Sequence, residues 1–272
     1  MKKFLIFILV IALCGPFQSC KKDKGDPPSL PPAESMAIDF SNFDTGRKSG
    51  DDISIPKGTL TSSWEYAASV AFIWNTIIYI NLAVPVKAFQ MAGDYTPSYV
   101  TDKTWQWSYS ATVLNVTYKA RLVGLIRTSD VKWEMYITRE GTGGFNEFLW
   151  FDGTSKLDGT GGQWVLNQGP QNKVPVLQID WTKTGSSVGM IKFTYIKSGD
   201  ASKDSFIEYG LTSATLNAYY NIHYYNTTNQ QFYDLNVEWS TSVHNGRVKS
   251  PLYFGNSDWY CWDANYLNIT CP

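Results

Sequence analysis

Histidine is almost absent from this chain, which has only two, His223 and His244, in 272 residues. Neither has a cysteine or a second histidine at metal-ligand spacing, so we predict no metal site and no cofactor. Charge is also scarce: charged residues make up 17% of the chain and nearly cancel to a net charge of −1. Because no basic block stands out, the sequence argues against nucleic-acid binding.

Aromatic residues are abundant instead, at 15% of the chain with 11 Trp and 17 Tyr. Large aromatic side chains favour β-sheets and argue against a disordered or coiled-coil protein. The length is sufficient for one domain with a sizeable core. We therefore predict a single β-rich domain over residues 36–272.

The N-terminus has the pattern of an exported protein. Lys2 and Lys3 precede the apolar run FLIFILVIAL, which is too short to span a membrane and typical of a secretory signal peptide over residues 1–19. The following FQSC resembles the relaxed lipobox of Bacteroidota lipoproteins. The resemblance implies acylation of Cys20 and a lipid-anchored protein of the cell envelope. An ordinary signal peptide cut near Ser19 is the alternative.

Two further predictions concern this region. Because Lys21 follows Cys20, the sequence lacks the common aspartate signal for inner-membrane retention, which favours the outer membrane. Residues 20–35 contain four prolines and are predicted to form an extended tether about 45 Å long. The domain would then begin at Met36, with residues 36–40 as its first strand.

Residues 66–86 form a run of 21 positions without charge. Ser62 and Glu65 stand at capping-box spacing just before it, so we predict a helix over about 62–92 with a kink at Pro85. Its polar residues lie in one narrow sector, which indicates a helix enclosed by protein on three sides. A membrane-spanning helix, which the length alone permits, is the alternative. The sector predicted to face water contains Glu65, Ser69, Thr76, Ala83, Lys87 and Gln90.

From Thr104 onward the apolar pattern has a period of two, interrupted by Gly- and Asn-rich turns, which predicts about ten strands. Short turns require antiparallel pairing, and a long meander of this kind curls. The predicted fold class is α+β, mainly antiparallel β, with a curled meander or half-barrel wrapped around one long kinked apolar helix. This architecture resembles the periplasmic lipoprotein-carrier half-barrel and, more distantly, lipocalin-like folds.

Cys261 and Cys271 remain as an even pair if Cys20 carries lipid. In an oxidising compartment this arrangement favours a disulfide that closes a short C-terminal loop. Two free thiols are the alternative. A bridge here would hold a chain end that otherwise frays.

Two functional hypotheses compete. In the first, the protein is not an enzyme: it binds a hydrophobic small molecule between helix and sheet, or it contacts another envelope protein through the exposed rim of the half-barrel. In the ligand-binding version, tryptophans line the cavity; the alternative is that they fill the interior and leave no cavity. In the second, Ser187 in GSSVG is the nucleophile of a serine hydrolase. The G-x-S-x-G motif of serine hydrolases forms a sharp turn that is followed by a helix, whereas we predict that GSSVG forms a hairpin turn followed by a strand. The candidate ligand-lining residues are Trp105, Trp107, Trp133, Trp150 and Trp181.

Overall fold

The computed structural model describes residues 24–47, 60–185 and 187–272. The predicted signal peptide and Cys20 lie outside these ranges. Within them, fourteen strands form one open antiparallel sheet, in which every strand pairs with its neighbours in sequence. Together with one long helix, this confirms the predicted α+β fold class with a curled meander.

The described elements have the following bounds. Two 3₁₀ helices, Ala33–Met36 and Ser41–Phe43, precede helix α1 (Ser63–Met91), and a third, Ala92–Asp94, follows it. The short helix α2 spans Pro251–Phe254. The strands are β1 (Ser98–Thr101), β2 (Thr104–Val113), β3 (Val116–Ile126), β4 (Asp130–Arg139), β5 (Phe145–Lys156), β6 (Gly161–Gly169), β7 (Asn172–Thr184), β8 (Ser187–Tyr195), β9 (Phe206–Leu211), β10 (Ala218–Asn226), β11 (Gln231–Trp239), β12 (Gly246–Lys249), β13 (Tyr260–Trp262) and β14 (Asn268–Ile269).

The period-two pattern places alternate side chains in the core, as predicted. In β4, Trp133, Met135 and Ile137 are buried, while the residues between them are partly exposed. The strand count exceeds the predicted ten because the sheet also contains short strands at its two ends, which are too brief to show alternation.

Helix α1 begins at the predicted capping box. The Ser62 hydroxyl accepts from the Glu65 N–H at 3.2 Å, and the Glu65 carboxylate accepts from the Ser62 N–H at 3.3 Å. Asn268 of β14 adds a second cap, because its Oδ1 accepts from the Ser63 N–H at 2.8 Å. The helix continues through Pro85 to Met91.

Helix α1 lies across the open side of the sheet. It contacts β2 near one edge and β12 and β13 near the other. By length and composition this helix could cross a membrane. Its first turns are nevertheless enclosed by protein, with Tyr66, Ala67 and Val70 all at or below 5% exposure.

The described N-terminal segment packs inside the fold. Pro28, Pro31 and Ser35 are already buried, so packing begins well before the predicted domain start at Met36. Residues 36–40 were predicted as a strand, and this prediction is wrong: Met36 ends the first 3₁₀ helix, and residues 37–40 run as irregular chain to the second. The reason is that their partners are side chains inside the concavity. The Tyr220 hydroxyl, for example, donates to the Asp39 carbonyl at 2.5 Å.

The predicted water-facing sector of α1 is also wrong in its middle. Ser69 and Thr76 are buried, whereas Ile77 and Ile80 are 42% and 67% exposed. Residues 38–47 explain the difference, because they lie beside the face of α1 that carries Thr76. Helical periodicity shows which residues share a face, but it cannot show which face another segment covers.

Candidate functional site

A large cleft lies between α1 and the concave face of the sheet. Its volume is about 670 Å³. Helix α1 provides one wall, mainly through Val70, Ile73, Trp74, Ile77 and Ile78. This wall is apolar because the uncharged run of the sequence continues through these turns.

The opposite wall comes from the sheet. Leu166 and Phe193 are nearly fully buried at its base, and Leu177 lies between them as the strand partner of Leu166. Ile222 and Leu235, which pair across β10 and β11, complete the apolar surface. Five strands therefore contribute apolar side chains to this wall, and β7 contributes two neighbouring ones, Val176 and Leu177.

A polar rim closes one side of the cleft. It is formed by the ends of β6, β8 and β10 and by the loop between β8 and β9, and it includes Asn167, Gln168, Tyr195, Asp200, Ser202, Ser205, Tyr224 and Tyr225. The loop is held firmly, since Asp204 N–H donates to the Tyr195 carbonyl and Tyr195 N–H donates to the Ser205 carbonyl, both at 2.8 Å.

Two tyrosines line the cleft with their rings removed from water to different degrees: Tyr66 is buried and Tyr224 is half-buried. Desolvation raises the pKa of Tyr66, whose hydroxyl lies 2.7 Å from the Ser250 hydroxyl. Desolvation and the nearby Tyr233 likewise raise the pKa of Tyr224. Both phenols therefore stay neutral throughout the physiological pH range.

The cleft lies at one end of the sheet, and the N-terminal segment enters at the other. Pro28 packs beside Ile126 and Leu157, next to the β3–β4 and β5–β6 turns. Strand β6 connects the two ends, from Gly161 near those turns to Gly169 near the cleft. A smaller, more polar depression of about 280 Å³ lies between α1 and residues 38–47.

The five candidate tryptophans lie elsewhere. Among the described residues, none of them lines the cleft. Trp107, Trp133 and Trp181 are buried in the core, and Trp105 and Trp150 pack against it. Their positions agree with the alternative interpretation, in which these rings fill the interior. The sequence could not locate the cleft because the apolar residues of its two walls, from α1 and five strands, follow the same patterns as the residues that fill the core.

Ser187 is the first residue of β8, and the segment after it is a strand, as predicted. Both histidines are far from it. His223 lies beside Phe206 on β9, and Phe206 lies beside Thr194 on β8. Thr194 is seven residues from Ser187 along β8, a distance of about 23 Å, so His223 lies at the opposite end of this strand from Ser187. His244 follows β11, and two strands separate β11 from β8. The arrangement does not form a serine–histidine pair.

The remaining sequence-predicted side chains have local partners. His223 Nδ1 lies 2.7 Å from Asp234 Oδ1 on the neighbouring strand. Cys261 and Cys271 form the predicted disulfide, with Cα atoms 5.2 Å apart. Within the described ranges, no group of three or more His, Cys, Asp or Glu residues is placed to hold a metal ion.

No protein-family model, curated protein or solved structure matches this chain. The cleft and its chemistry are therefore the basis for assigning a function.

Proposed function

We propose that this chain is a non-enzymatic, lipid-anchored protein of the cell envelope that binds a hydrophobic small molecule in the cleft between α1 and the sheet. The observation that carries the proposal is the cleft of about 670 Å³ with two apolar walls and a polar rim. Small-molecule sites are typically concave, mostly apolar and about 300–1,000 Å³ in volume.

The path of the chain supports a cleft that points away from the anchoring membrane. Between an acylated Cys20 and the packed Pro28 there are eight peptide steps, which span at most about 28 Å when fully extended. Pro28 lies at the end of the sheet opposite the cleft. A ligand would then arrive from the aqueous side or from a second envelope protein. The missing retention aspartate favours the outer membrane for the anchor.

Filling the cleft tests the binding proposal. We expect Leu177→Trp to weaken binding of the neutral dye N-phenyl-1-naphthylamine about tenfold, because the indole occupies space between the two walls. Leu177 is half-buried, so the free energy of unfolding should change by less than about 1 kcal/mol. Dye fluorescence titration and urea unfolding measure the two effects.

Val100→Trp is the matched control, because Val100 is 51% exposed on β1 and away from the cleft. It should leave dye binding unchanged. Equal affinities for wild type and both variants would contradict the proposal. In that case, with no lipid-like mass retained in native mass spectrometry of protein purified from its host, an interaction role through the exposed rim would replace ligand binding.

The anchor makes a separate prediction. A chain that begins at Lys21 lacks both the leader and Cys20, and we expect it to fractionate without detergent, whereas the full chain partitions with membranes. In the full chain, Cys14→Ser should retain the acyl label, because only Cys20 follows the lipobox-like FQS. Detergent-dependent behaviour of the chain from Lys21 would contradict the anchor and would indicate that α1 itself enters the bilayer.

A further inference from the structure

One ionised side chain lies among the residues that line the cleft. Of the described lining residues, Asp200 is the only one that carries a formal charge at neutral pH. It belongs to the β8–β9 loop on the polar rim. The charge therefore stands at the boundary between the apolar walls and water, where the head group of a bound amphiphile would lie.

The Asp200 carboxylate is fixed in position. Ser202 N–H donates to its Oδ1 and the Tyr195 hydroxyl donates to its Oδ2, both at 2.9 Å. These two hydrogen bonds, that of Ser202 first, lower the pKa of Asp200. Each oxygen retains a further lone pair that can accept a hydrogen bond from a ligand.

Cations are present on the same loop but do not line the cleft. Lys197 is near enough to contribute to the lowered pKa of Asp200. Lys203 is exposed on the far part of the loop. Neither side chain belongs to the cleft lining, so an anionic head group in the cleft would meet the carboxylate before it met a cation.

We propose that the cleft selects amphiphiles whose head group donates hydrogen bonds, as a hydroxyl or an ammonium does, and discriminates against carboxylate and phosphate heads. This inference rests on the proposed ligand-binding function. An ammonium or hydroxyl can donate to Asp200, whereas an anionic head is repelled by it and finds no cation among the described lining residues.

Matched ten-carbon competitors test the inference. Decylamine, decanol and decanoate share one chain and differ only in the head group, and each can be titrated against bound N-phenyl-1-naphthylamine. We expect decanol and decylamine to displace the dye at concentrations at least about fivefold lower than decanoate, the size of effect that a partly exposed charge pair produces.

Asp200→Asn assigns the effect to the carboxylate. It should narrow the difference between decylamine and decanoate about fivefold and leave decanol nearly unchanged. Asp204→Asn is the matched control, since Asp204 lies on the same loop, is exposed and does not line the cleft. It removes the same charge from the protein and should leave the order of competitors intact.

The outcomes separate this inference from the function on which it rests. If the dye binds and Leu177→Trp weakens it, but decanoate competes as well as decylamine, the head-group selectivity is overturned and ligand binding stands. A shift of equal size in Asp204→Asn would also overturn it, because the effect would then come from net charge. If the dye does not bind at all, the binding function itself fails.

Discussion

Replacing Trp164 by alanine should lower the free energy of unfolding by about 3–5 kcal/mol, the range expected when a fully buried tryptophan is truncated. Trp164 is 0% exposed. Its ring centroid lies 5.2 Å from that of Phe89 on α1 and 5.3 Å from that of Phe151 on β5. Its indole N–H donates to the Ser35 hydroxyl at 3.2 Å. One side chain thus joins the sheet, the helix and the N-terminal segment.

A double-mutant cycle separates the contribution of the Trp164–Ser35 hydrogen bond to the free energy of unfolding from the contribution of packing. Trp164→Phe keeps an aromatic ring but leaves the buried Ser35 hydroxyl without its donor, which costs about 1–3 kcal/mol. In the Ser35→Ala background, the same substitution should cost less, because no polar group is left unpaired. Urea unfolding at a constant m-value measures each corner of the cycle.

Trp150→Ala is the control, because it also removes an indole ring but at a position that does not connect the three parts of the fold. Trp150 lies on the neighbouring strand β5 and also packs against the core, but it is partly exposed, and its aromatic contacts are Phe145 and Phe148. We expect a loss no greater than about half of that for Trp164→Ala. Equal losses would contradict the assignment of Trp164 as the residue that connects the three parts of the fold.

The parts of the fold that follow from local rules were predictable. The start of α1 follows from the positions of Ser62 and Glu65, and alternation in β4 follows from Trp133, Met135 and Ile137. These features depend on neighbours three or fewer residues away. The antiparallel meander then follows from short turns, because a chain without long crossovers can pair only in this order.

The parts that failed depend on distant partners. Residues 36–40 alternate like a strand, but their backbone meets the hydroxyl of Tyr220 and not a neighbouring strand. Thr76 is buried because residues 38–47 lie beside it, which no periodicity within α1 can indicate. The cleft is the space that these segments leave unfilled on the other side of α1, so its position could not be derived before the path of residues 28–43 was known.

The C-terminal bridge gives the second large effect. Cys271→Ser should lower the free energy of unfolding by about 3 kcal/mol, because the disulfide closes a loop over a separation of 10 residues and restricts the unfolded chain. Treating the wild type with dithiothreitol should produce the same loss, and dithiothreitol should add nothing to Cys271→Ser. Serine at position 271 is the appropriate change because Cys261 is buried, whereas Cys271 is half-buried.

The bridge should also control the start of α1, and this local effect distinguishes it from a general loss of stability. Strand β14 consists of two residues, and its Asn268 both accepts from the Ser63 N–H and donates to the Thr61 carbonyl at 3.1 Å. Without the disulfide, β14 frays and the cap is lost, so amide hydrogen exchange at the first turn of α1 should accelerate more than exchange in β4. Uniform acceleration across both elements would contradict this role, because it would mean that the disulfide stabilises the whole domain without a specific connection to the helix that forms one wall of the cleft.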